Sequence, residues 1–180
     1  DGLDEDGYGM RMMAERLPEL VIASSCSKNF GLYRERTGSI TFIAETPEQA
    51  DIVVSQAMSI ARSIYSMPPA HGALLVSMVL GDDQLRAHWQ AELETTRLRI
   101  KSMRTLLCDS IQDNEAGLDF SHIKEQKGMF SFLGITSLQL ERLRDEFGIY
   151  IVSSTRINLA GVNSNNIDYL SQSMLTVLKP

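Results

Sequence analysis

Residues 24–38, SSCSKNFGLYRERTG, place a lysine among hydroxyl side chains and an arginine shortly after it. Lys28 follows an apolar run of strand length, and α/β proteins bind ligands in the loops at strand ends. A lone lysine is usually a solvated surface charge, but a lysine amine can also form a Schiff base with an aldehyde. Serine hydroxyls and the planar fork of Arg36 are donors that suit a phosphate. The segment therefore predicts a site for an aldehyde that carries a phosphate.

Composition and charge exclude several other classes of function. The chain has 180 residues, 43% hydrophobic and 22% charged, as is typical of soluble globular proteins, and its net charge of −6 with scattered basic residues argues against a nucleic-acid partner. Cys26 and Cys108 lack metal-site or disulfide spacing, so we expect no metal and a reducing, cytoplasmic location. No apolar run approaches the roughly 20 residues that span a bilayer, so we expect no membrane partner.

The elements that must position Lys28 are two strands and three helices. The acidic start of the chain predicts a helix that Pro18 ends, and the runs ELVIASS and GSITFIAE predict strands on either side of the lysine loop. Thr46 as N-cap and Pro47 at the first helical position predict a helix over 47–65. The run HGALLVSMVL predicts a short helix that Gly81 ends.

The rest of the chain again alternates helices and strands. Apolar residues at steps of three and four from 83 to 111 predict one long helix, and a polar loop over 112–127 follows. The runs GMFSFLGI, IYIVSS and RINLAG predict strands, SLQLERLRDEFG predicts a helix closed by Gly148, and a last helix is capped by Ser164 or Asn165. This alternation predicts an α/β fold.

The pattern SxxSKNFGLYxERxG, from Ser24 to Gly38, resembles the signature around the cofactor lysine of class I pyridoxal-phosphate aminotransferases, in the aspartate and aromatic-amino-acid branch. The resemblance implies that Lys28 holds pyridoxal 5′-phosphate as a Schiff base and then moves a proton between substrate and cofactor. It also implies that Ser25 and Arg36 contact the phosphate. Cys26 departs from the pattern, and we expect it to be a small packed side chain.

A second stretch, ARSIYSMPPAHG, resembles the segment that crosses the dimer interface in this family. The resemblance implies that Arg62 reaches the neighbouring subunit's active site and pairs with the distal carboxylate of a dicarboxylic substrate. It also implies that Tyr65 and Ser66 lie near the partner's cofactor, and Met67 departs from an asparagine common at its position. Without the resemblance, Arg62 would be interpreted as a helix-surface arginine.

Two shorter stretches agree with the first two. SSTRINLAG resembles the segment whose arginine, here Arg156, binds the substrate α-carboxylate, although a lone arginine between short strands would otherwise be a surface charge. KGMFSF resembles the loop that places an aromatic side chain, here Phe130, beside the substrate. A core position for Phe130 is an equally good interpretation of the sequence alone.

The resemblance also implies a fold and its extent. It implies the C-terminal part of a fold-type-I pyridoxal-phosphate transferase, with a mostly parallel sheet flanked by helices and part of a small α+β domain. Residues 1–95 would belong to the large cofactor-binding domain and residues 96–180 to the small domain. Because the match corresponds to roughly the second half of the family's chain, we expect a piece of a longer protein, with apolar faces exposed and weak or no activity alone.

The function implied is amino-group transfer between aspartate, glutamate or aromatic amino acids and 2-oxo acids by a homodimer with shared active sites. Lys28 would be the catalytic residue. Two alternatives stay open: a non-catalytic structural piece without bound cofactor, and another fold-type-I enzyme that runs a lyase or decarboxylase reaction from a similar lysine. The preference between aspartate and aromatic substrates also stays open.

Overall fold

The computed structural model describes residues 1–179 and divides into two compact units, Asp1–Glu94 and a second from Thr95 onward. The first unit contains α1 (Leu3–Arg16), β1 (Leu20–Ser25), β2 (Gly38–Ile43), α2 (Pro47–Tyr65), α3 (His71–Gly81) and the start of α4 (Asp83–Ile111). The second contains the rest of α4, then α5 (Ser121–Glu125), β3 (Phe130–Phe132), α6 (Ser137–Phe147), β4 (Arg156–Asn158), a single 3₁₀ turn (Leu159–Gly161) and α7 (Ile167–Val177).

Strands β1 and β2 pair antiparallel, with Leu20 opposite Ile43 and Ser25 opposite Gly38. Both strands were predicted, and they flank the lysine loop as expected. The parallel sheet that the resemblance implies is not present among residues 1–179, since β3 and β4 also pair antiparallel. The reason is local: parallel neighbours need a crossover, usually a helix, and the loop over 26–37 contains no helix.

Helix α2 begins where its local signals predict. The Thr46 hydroxyl accepts a hydrogen bond of 3.2 Å from the Gln49 amide, and the Gln49 side chain accepts one of 3.2 Å from the Thr46 amide. Pro47 occupies the first turn, where its missing N–H would have had no partner in the helix. The predicted span of 47–65 is confirmed. Gly81 likewise ends α3 as predicted, although it belongs to the last turn of that helix.

The second unit contains the hydrophobic core. Helix α4 contributes Leu107 and Ile111, both fully buried, and they belong to one cluster with Leu143 of α6 and Met174 of α7. Helix α6 ends at Gly148, whose φ of 63° is the left-handed conformation expected for a C-cap glycine. These apolar contacts fix the frame from which β3 and β4 present their side chains.

Four details of the second unit differ from the sequence-based predictions. The run RINLAG is a strand only over Arg156–Asn158, and Leu159–Gly161 forms a 3₁₀ turn in which the Asn158 side chain accepts from the Ala160 amide. The run IYIVSS forms no strand in the described chain, because 149–154 has no ladder partner there and instead continues the helix cap: the Ile149 amide donates to the Leu143 carbonyl at 2.9 Å. The predicted loop over 112–127 contains the short helix α5. The N-cap of α7 is Asn166 rather than Ser164 or Asn165.

The first unit exposes much of its apolar surface. Gly72 is the single buried residue described in 1–94, while Val21 of β1 is 60% exposed and Ile64 of α2 is 72% exposed. Such an open apolar surface is what a protein normally covers with another segment or another chain. No helix in the described part of the chain is long and apolar enough to cross a membrane. Within residues 1–179, no group of three metal-ligating side chains is found.

Candidate active site

The lysine loop is closed at its base by the strand ladder. The Cys26 amide donates to the Thr37 carbonyl at 3.0 Å, which extends the β1–β2 pairing by one step. The amides of Phe30 and Leu32 then both donate to the Cys26 carbonyl at 3.3 Å. Cys26 therefore anchors the loop with its backbone, and its side chain is half-buried.

Within the loop, Tyr33 contacts Lys28 and Arg36, the two cationic side chains predicted to bind the cofactor. The Lys28 Nζ atom lies 4.2 Å from the centroid of the Tyr33 ring, in cation–π geometry. The Arg36 guanidinium donates through Nη1 to the Tyr33 carbonyl at 2.9 Å. Lys28 and Arg36 are exposed. One tyrosine thus holds the amine and the guanidinium on the same loop, although the sequence analysis gave Tyr33 no role.

Ser25 supplies a hydroxyl at the end of β1. Its Oγ donates to the Ser27 Oγ at 3.0 Å and accepts from the Ser27 amide at 3.2 Å. This short side-chain-to-backbone turn orients the hydroxyl just before Lys28. Ser25 is exposed, so its oxygen remains accessible to a ligand.

Gly72 of α3 lies against the far end of the same loop. A Cβ atom at Gly72 would meet the Thr37 hydroxyl and would lie 2.8 Å from the Glu35 Cβ, so only glycine fits there without a shift. Residues 35 and 37 flank Arg36. This contact could not be predicted from the sequence, because a glycine in an apolar helix gives no local sign of what it touches.

Trp89 of α4 holds the residues that follow Lys28. Its indole Nε1 donates to the Asn29 carbonyl at 2.8 Å, and its ring stacks on Phe30 with centroids 4.6 Å apart and an interplanar angle of 10°. Trp89 was not among the site residues predicted from the sequence. The hydrogen bond and the stacking together restrain the backbone next to Lys28.

The end of α2 carries Arg62, Tyr65 and Ser66, all of which are exposed. Ser66 has φ 69° and ψ −70°, and the Met67 amide donates to the Tyr65 carbonyl at 2.9 Å. This is a three-residue turn of the strained, positive-φ type, which is rare in proteins. The three side chains therefore lie on or beside a sharp reversal that faces solvent.

Phe130 and Arg156 are in contact on the β3–β4 ribbon. The Arg156 guanidinium carbon lies 4.7 Å from the centroid of the Phe130 ring. Phe130 is opposite Asn158 and Phe132 is opposite Arg156 in the antiparallel register. Phe130 is 38% exposed, which disfavours the alternative in which it is a core aromatic. Both residues line a cavity of about 510 Å³ with apolar neighbours such as Ile149.

Backbone strain coincides with the predicted site residues. Among residues 1–179, the non-glycine residues with positive φ are Arg36 at 52°, Ser66 at 69° and Thr155 at 62°. The first two are predicted site residues, and Thr155 directly precedes Arg156. Positive φ costs a non-glycine residue on the order of 1–3 kcal/mol and persists where the surroundings enforce it, often at functional sites.

Arg104 of α4 is a further residue that sequence reasoning missed. Its side chain is buried, at 3% exposure, and it donates to backbone carbonyls that precede and begin β3. Burial removes water from the guanidinium and lowers its pKa from the usual value, but an arginine remains charged in proteins. On a predicted helix an arginine is normally interpreted as a solvated charge, so only the tertiary structure reveals this role.

The predicted residues thus form three groups. Lys28, Ser25 and Arg36 share the β1–β2 loop. Arg62, Tyr65 and Ser66 share the end of α2. Phe130 and Arg156 share the β3–β4 ribbon. The first two groups belong to the first unit and the third belongs to the second unit.

Comparisons with known proteins identify the class of protein to which this lysine loop and its surrounding helices and strands belong. The model of the family "Aminotransferase class I and II" matches residues 3–174. The chain belongs to this family. The resemblance on which the sequence analysis relied is confirmed, and so is the α/β fold class, since solved structures of such aminotransferases superpose on the chain.

Two curated relatives illustrate the match. An aspartate aminotransferase of Haemophilus influenzae is 51% identical over 178 residues, which are 99% of this chain and 45% of the relative. An aromatic-amino-acid aminotransferase of Pseudomonas aeruginosa is 44% identical over 177 residues, 98% of this chain and 44% of the relative. The chain therefore spans about 45% of the length of the curated relatives it matches.

Solved structures agree over the same span. The aromatic-amino-acid aminotransferase of Burkholderia pseudomallei, described as covalently bound to pyridoxal phosphate, is 40% identical with a TM-score of 0.94, covering 99% of this chain and 45% of that one. A mitochondrial aspartate aminotransferase of Trypanosoma brucei is 38% identical with a TM-score of 0.93, covering 98% of this chain and 46% of that one.

Proposed function

We propose that the complete protein is a pyridoxal-phosphate-dependent aminotransferase that moves an amino group between aspartate or glutamate and 2-oxo acids. The observation that carries the proposal is the arrangement around Tyr33. The Lys28 amine lies on its ring and the Arg36 guanidinium is bound to its carbonyl, so both predicted cofactor contacts belong to one restrained loop. Membership of the aminotransferase class I and II family supports the same conclusion.

The donor set on this loop fits pyridoxal phosphate. Lys28 supplies a primary amine for the aldehyde, and the Ser25 hydroxyl and the Arg36 guanidinium supply donors for the phosphate. All three side chains are exposed and therefore accessible to the ligand. When bound, pyridoxal phosphate supplies the electron sink for chemistry at the substrate α-carbon. In this scheme Lys28 moves the proton through its Nζ atom, and Arg36 and Ser25 hold the phosphate end in place.

Arg156 suits the substrate α-carboxylate. Its guanidinium is exposed and its carbon lies over the Phe130 ring, which restricts the planar fork while leaving its N–H donors available for a bidentate pair. Arg62, exposed in the last turn of α2, is proposed to bind the distal carboxylate in the neighbouring subunit of a homodimer. Tyr65 and Ser66 are proposed to lie near the partner's cofactor. Two arginines favour a substrate with two carboxylates over the lyase and decarboxylase alternatives.

A preference for aromatic amino acids is the second candidate. The cavity beside Arg156 is lined by apolar side chains such as Ile149, Ile151 and Val152, which would accept an aromatic side chain once Arg156 holds the α-carboxylate. A curated relative at 44% identity is named an aromatic-amino-acid aminotransferase. Competition between aspartate and phenylalanine in one transamination assay distinguishes the two preferences.

We also propose that residues 1–95 belong to the cofactor-binding domain and residues 96–180 to the small domain. A cytoplasmic location is consistent with Cys26 and Cys108, which are both free thiols. Because the chain spans about 45% of its relatives, the non-catalytic alternative concerns these 180 residues by themselves. A colourless 180-residue protein that shows no half-reaction with an added amino acid would support that alternative.

Borohydride reduction of the complete protein with pyridoxal phosphate, followed by peptide mass mapping, tests the proposal. We expect a pyridoxyl group on Lys28 and none in a Lys28→Ala variant. Lys124, an exposed lysine paired with Asp109 at 3.2 Å, provides the matched control, since Lys124→Ala should leave the labelling unchanged. Labelling spread over surface lysines with no preference for Lys28 would contradict the assignment.

A further inference from the structure

Arg104 points from α4 into the backbone that leads into β3. Its Nη1 donates to the Ile123 carbonyl at 2.8 Å, and its Nη2 donates to the Phe130 carbonyl at 2.5 Å. The Gly128 carbonyl accepts from both Nε at 3.3 Å and Nη2 at 2.9 Å. A longer contact of 3.4 Å reaches the Lys127 carbonyl. One guanidinium therefore holds four carbonyls within eight residues of chain.

A buried cation normally requires an anionic partner. In the part of the chain that the structure describes, Arg104 instead makes hydrogen bonds to carbonyl oxygens only. The planar fork has five N–H donors in fixed directions, so it can bind several carbonyls only when the loop adopts one shape. The loop carbonyls thus satisfy the donors of the Arg104 guanidinium, and the same hydrogen bonds hold residues 123–130 in one conformation.

The loop held in this way leads directly to the substrate side chains. Phe130, whose carbonyl receives the 2.5 Å hydrogen bond, is the residue whose ring lies against Arg156. Phe130 and Arg156 also belong to paired strands, β3 and β4, in which Phe132 is opposite Arg156. A change in the position of the Phe130 backbone therefore moves the Phe130 ring, which lies against Arg156. It also moves β4, the strand that carries Arg156, because β3 and β4 are paired.

We propose that Arg104 is a positioning residue for substrate binding, which sets the position of Arg156 through the 123–130 backbone and the Phe130 ring. The inference rests on the proposed function, because it gives Arg156 the substrate carboxylate. If Arg156 binds that carboxylate equally in the ground state and in the transition state, displacing Arg156 weakens the binding of the two states by the same amount. The Michaelis constant then rises while kcat changes little.

Arg104→Lys in the complete protein is the direct test. Lysine keeps the charge but has a single nitrogen, which cannot span the Ile123 and Phe130 carbonyls together. We expect KM for the amino acid to rise about tenfold, as the loss of a charge-assisted hydrogen bond would produce. We expect kcat to fall by less than about threefold and pyridoxal phosphate affinity to stay unchanged. Arg142→Lys, at a half-buried arginine paired with Glu146, is the control and should leave KM unchanged.

A second variant keeps the proposal testable if Arg104→Lys does not fold. Gly128 has φ 83° and no atom within 4 Å of an added Cβ, so Gly128→Ala strains the loop conformation without a clash. We expect the same rise in KM. Gly117→Ala is the matched control, because Gly117 also has positive φ, at 65°, with open space around it, and receives no hydrogen bond from Arg104. Equal KM values for the Gly128 and Gly117 variants would overturn the proposal.

Hydrogen exchange and a double mutant separate positioning from general stabilisation. We expect Arg104→Lys to raise amide exchange over 127–132 while α6 and α7 keep their protection, whereas faster exchange throughout the core would overturn the inference. In an Arg156→Lys background, Arg104→Lys should add less than about twofold to KM, because the two residues act in series. If the wild-type protein lacks transaminase activity but the exchange stays local, the proposed function fails and the structural role of Arg104 stands.

Discussion

The indole Nε1 of Trp89 donates a 2.8 Å hydrogen bond to the carbonyl of Asn29, the residue that follows Lys28. Trp89→Phe should keep the stacking on Phe30 and lose only this hydrogen bond. We expect a loss of about 1 kcal/mol in unfolding free energy, the usual contribution of one hydrogen bond. We also expect slower reductive trapping of pyridoxal phosphate on Lys28, since the backbone beside the amine is less restrained.

Chemical denaturation and timed borohydride trapping measure these two effects. Trp89→Ala, which also removes the stacking, should be less stable than Trp89→Phe. Because Trp89 is the only tryptophan in the chain, its fluorescence reports unfolding near Lys28 directly in the wild type. Trapping at the wild-type rate in both variants would show that the indole does not restrain the lysine segment.

Gly72→Ala tests the contact between α3 and the lysine loop. The added Cβ would meet Thr37 and Glu35, on either side of Arg36, and we expect overpacking to cost on the order of 1–3 kcal/mol. The displaced Arg36 should weaken the binding of pyridoxal phosphate, as measured by absorbance titration. Gly81→Ala in the same helix, with no atom within 4 Å of the added Cβ, should leave that affinity unchanged. Equal cofactor affinity in both variants would contradict the contact.

Asp119 gives the second unit a dependence on pH. Its carboxylate accepts hydrogen bonds from the amide of Ser121 at 2.8 Å and from its hydroxyl at 2.9 Å, and the first of these contributes most to lowering the pKa of Asp119. A carboxyl with a lowered folded-state pKa stabilises the fold above its unfolded pKa of about 3.9, and this contribution is lost as pH falls through the folded value.

We therefore expect Asp119→Asn to lower the unfolding temperature at pH 6. The difference from wild type should shrink as the pH falls from about 4 through the lowered folded-state pKa of Asp119, where the carboxylate of the folded wild type becomes protonated. Thermal unfolding followed by circular dichroism over this range provides the measurement. A difference between the variants that is the same at pH 6 and at pH 3 would mean that the charge of Asp119 is not involved.

The two thiols should differ in reactivity. Cys108 is 4% exposed, and burial is the main cause that raises its pKa above the usual value, so little reactive thiolate is available. Cys26 is half-buried beside the lysine loop. We expect a thiol reagent to label Cys26 quickly in the native chain and Cys108 only on unfolding. A Cys26→Ser variant should lose the fast phase, and pyridoxal phosphate should slow it in the wild type if the cofactor covers the loop.

Local signals explain how much of the fold the sequence predicted. The N-cap at Thr46 and the C-cap at Gly148 depend on residues within a few positions, and both helix ends lie where predicted. The run IYIVSS has strand composition, yet a strand forms only when a ladder partner is present, and residues 1–179 supply none. Its backbone therefore continues from the cap of α6.

The residues of the candidate site also divide into those that local sequence identifies and those that only the tertiary structure reveals. Lys28 and Arg36 could be selected because their motif is continuous in sequence and resembles a family signature. Gly72 and Arg104 could not be selected, because their importance depends on atoms tens of residues away in the chain. A glycine gives no sign of a close approach, and an arginine on a helix resembles any solvated charge until its burial is known.

The positive φ angles at Arg36, Ser66 and Thr155 have a practical consequence for anyone redesigning this protein. A procedure that selects substitutions only for backbone compatibility would favour glycine at each of them. At Arg36 the same edit would delete the proposed phosphate ligand. Backbone optimisation and preservation of the proposed chemistry therefore conflict at Arg36, which should be left unchanged.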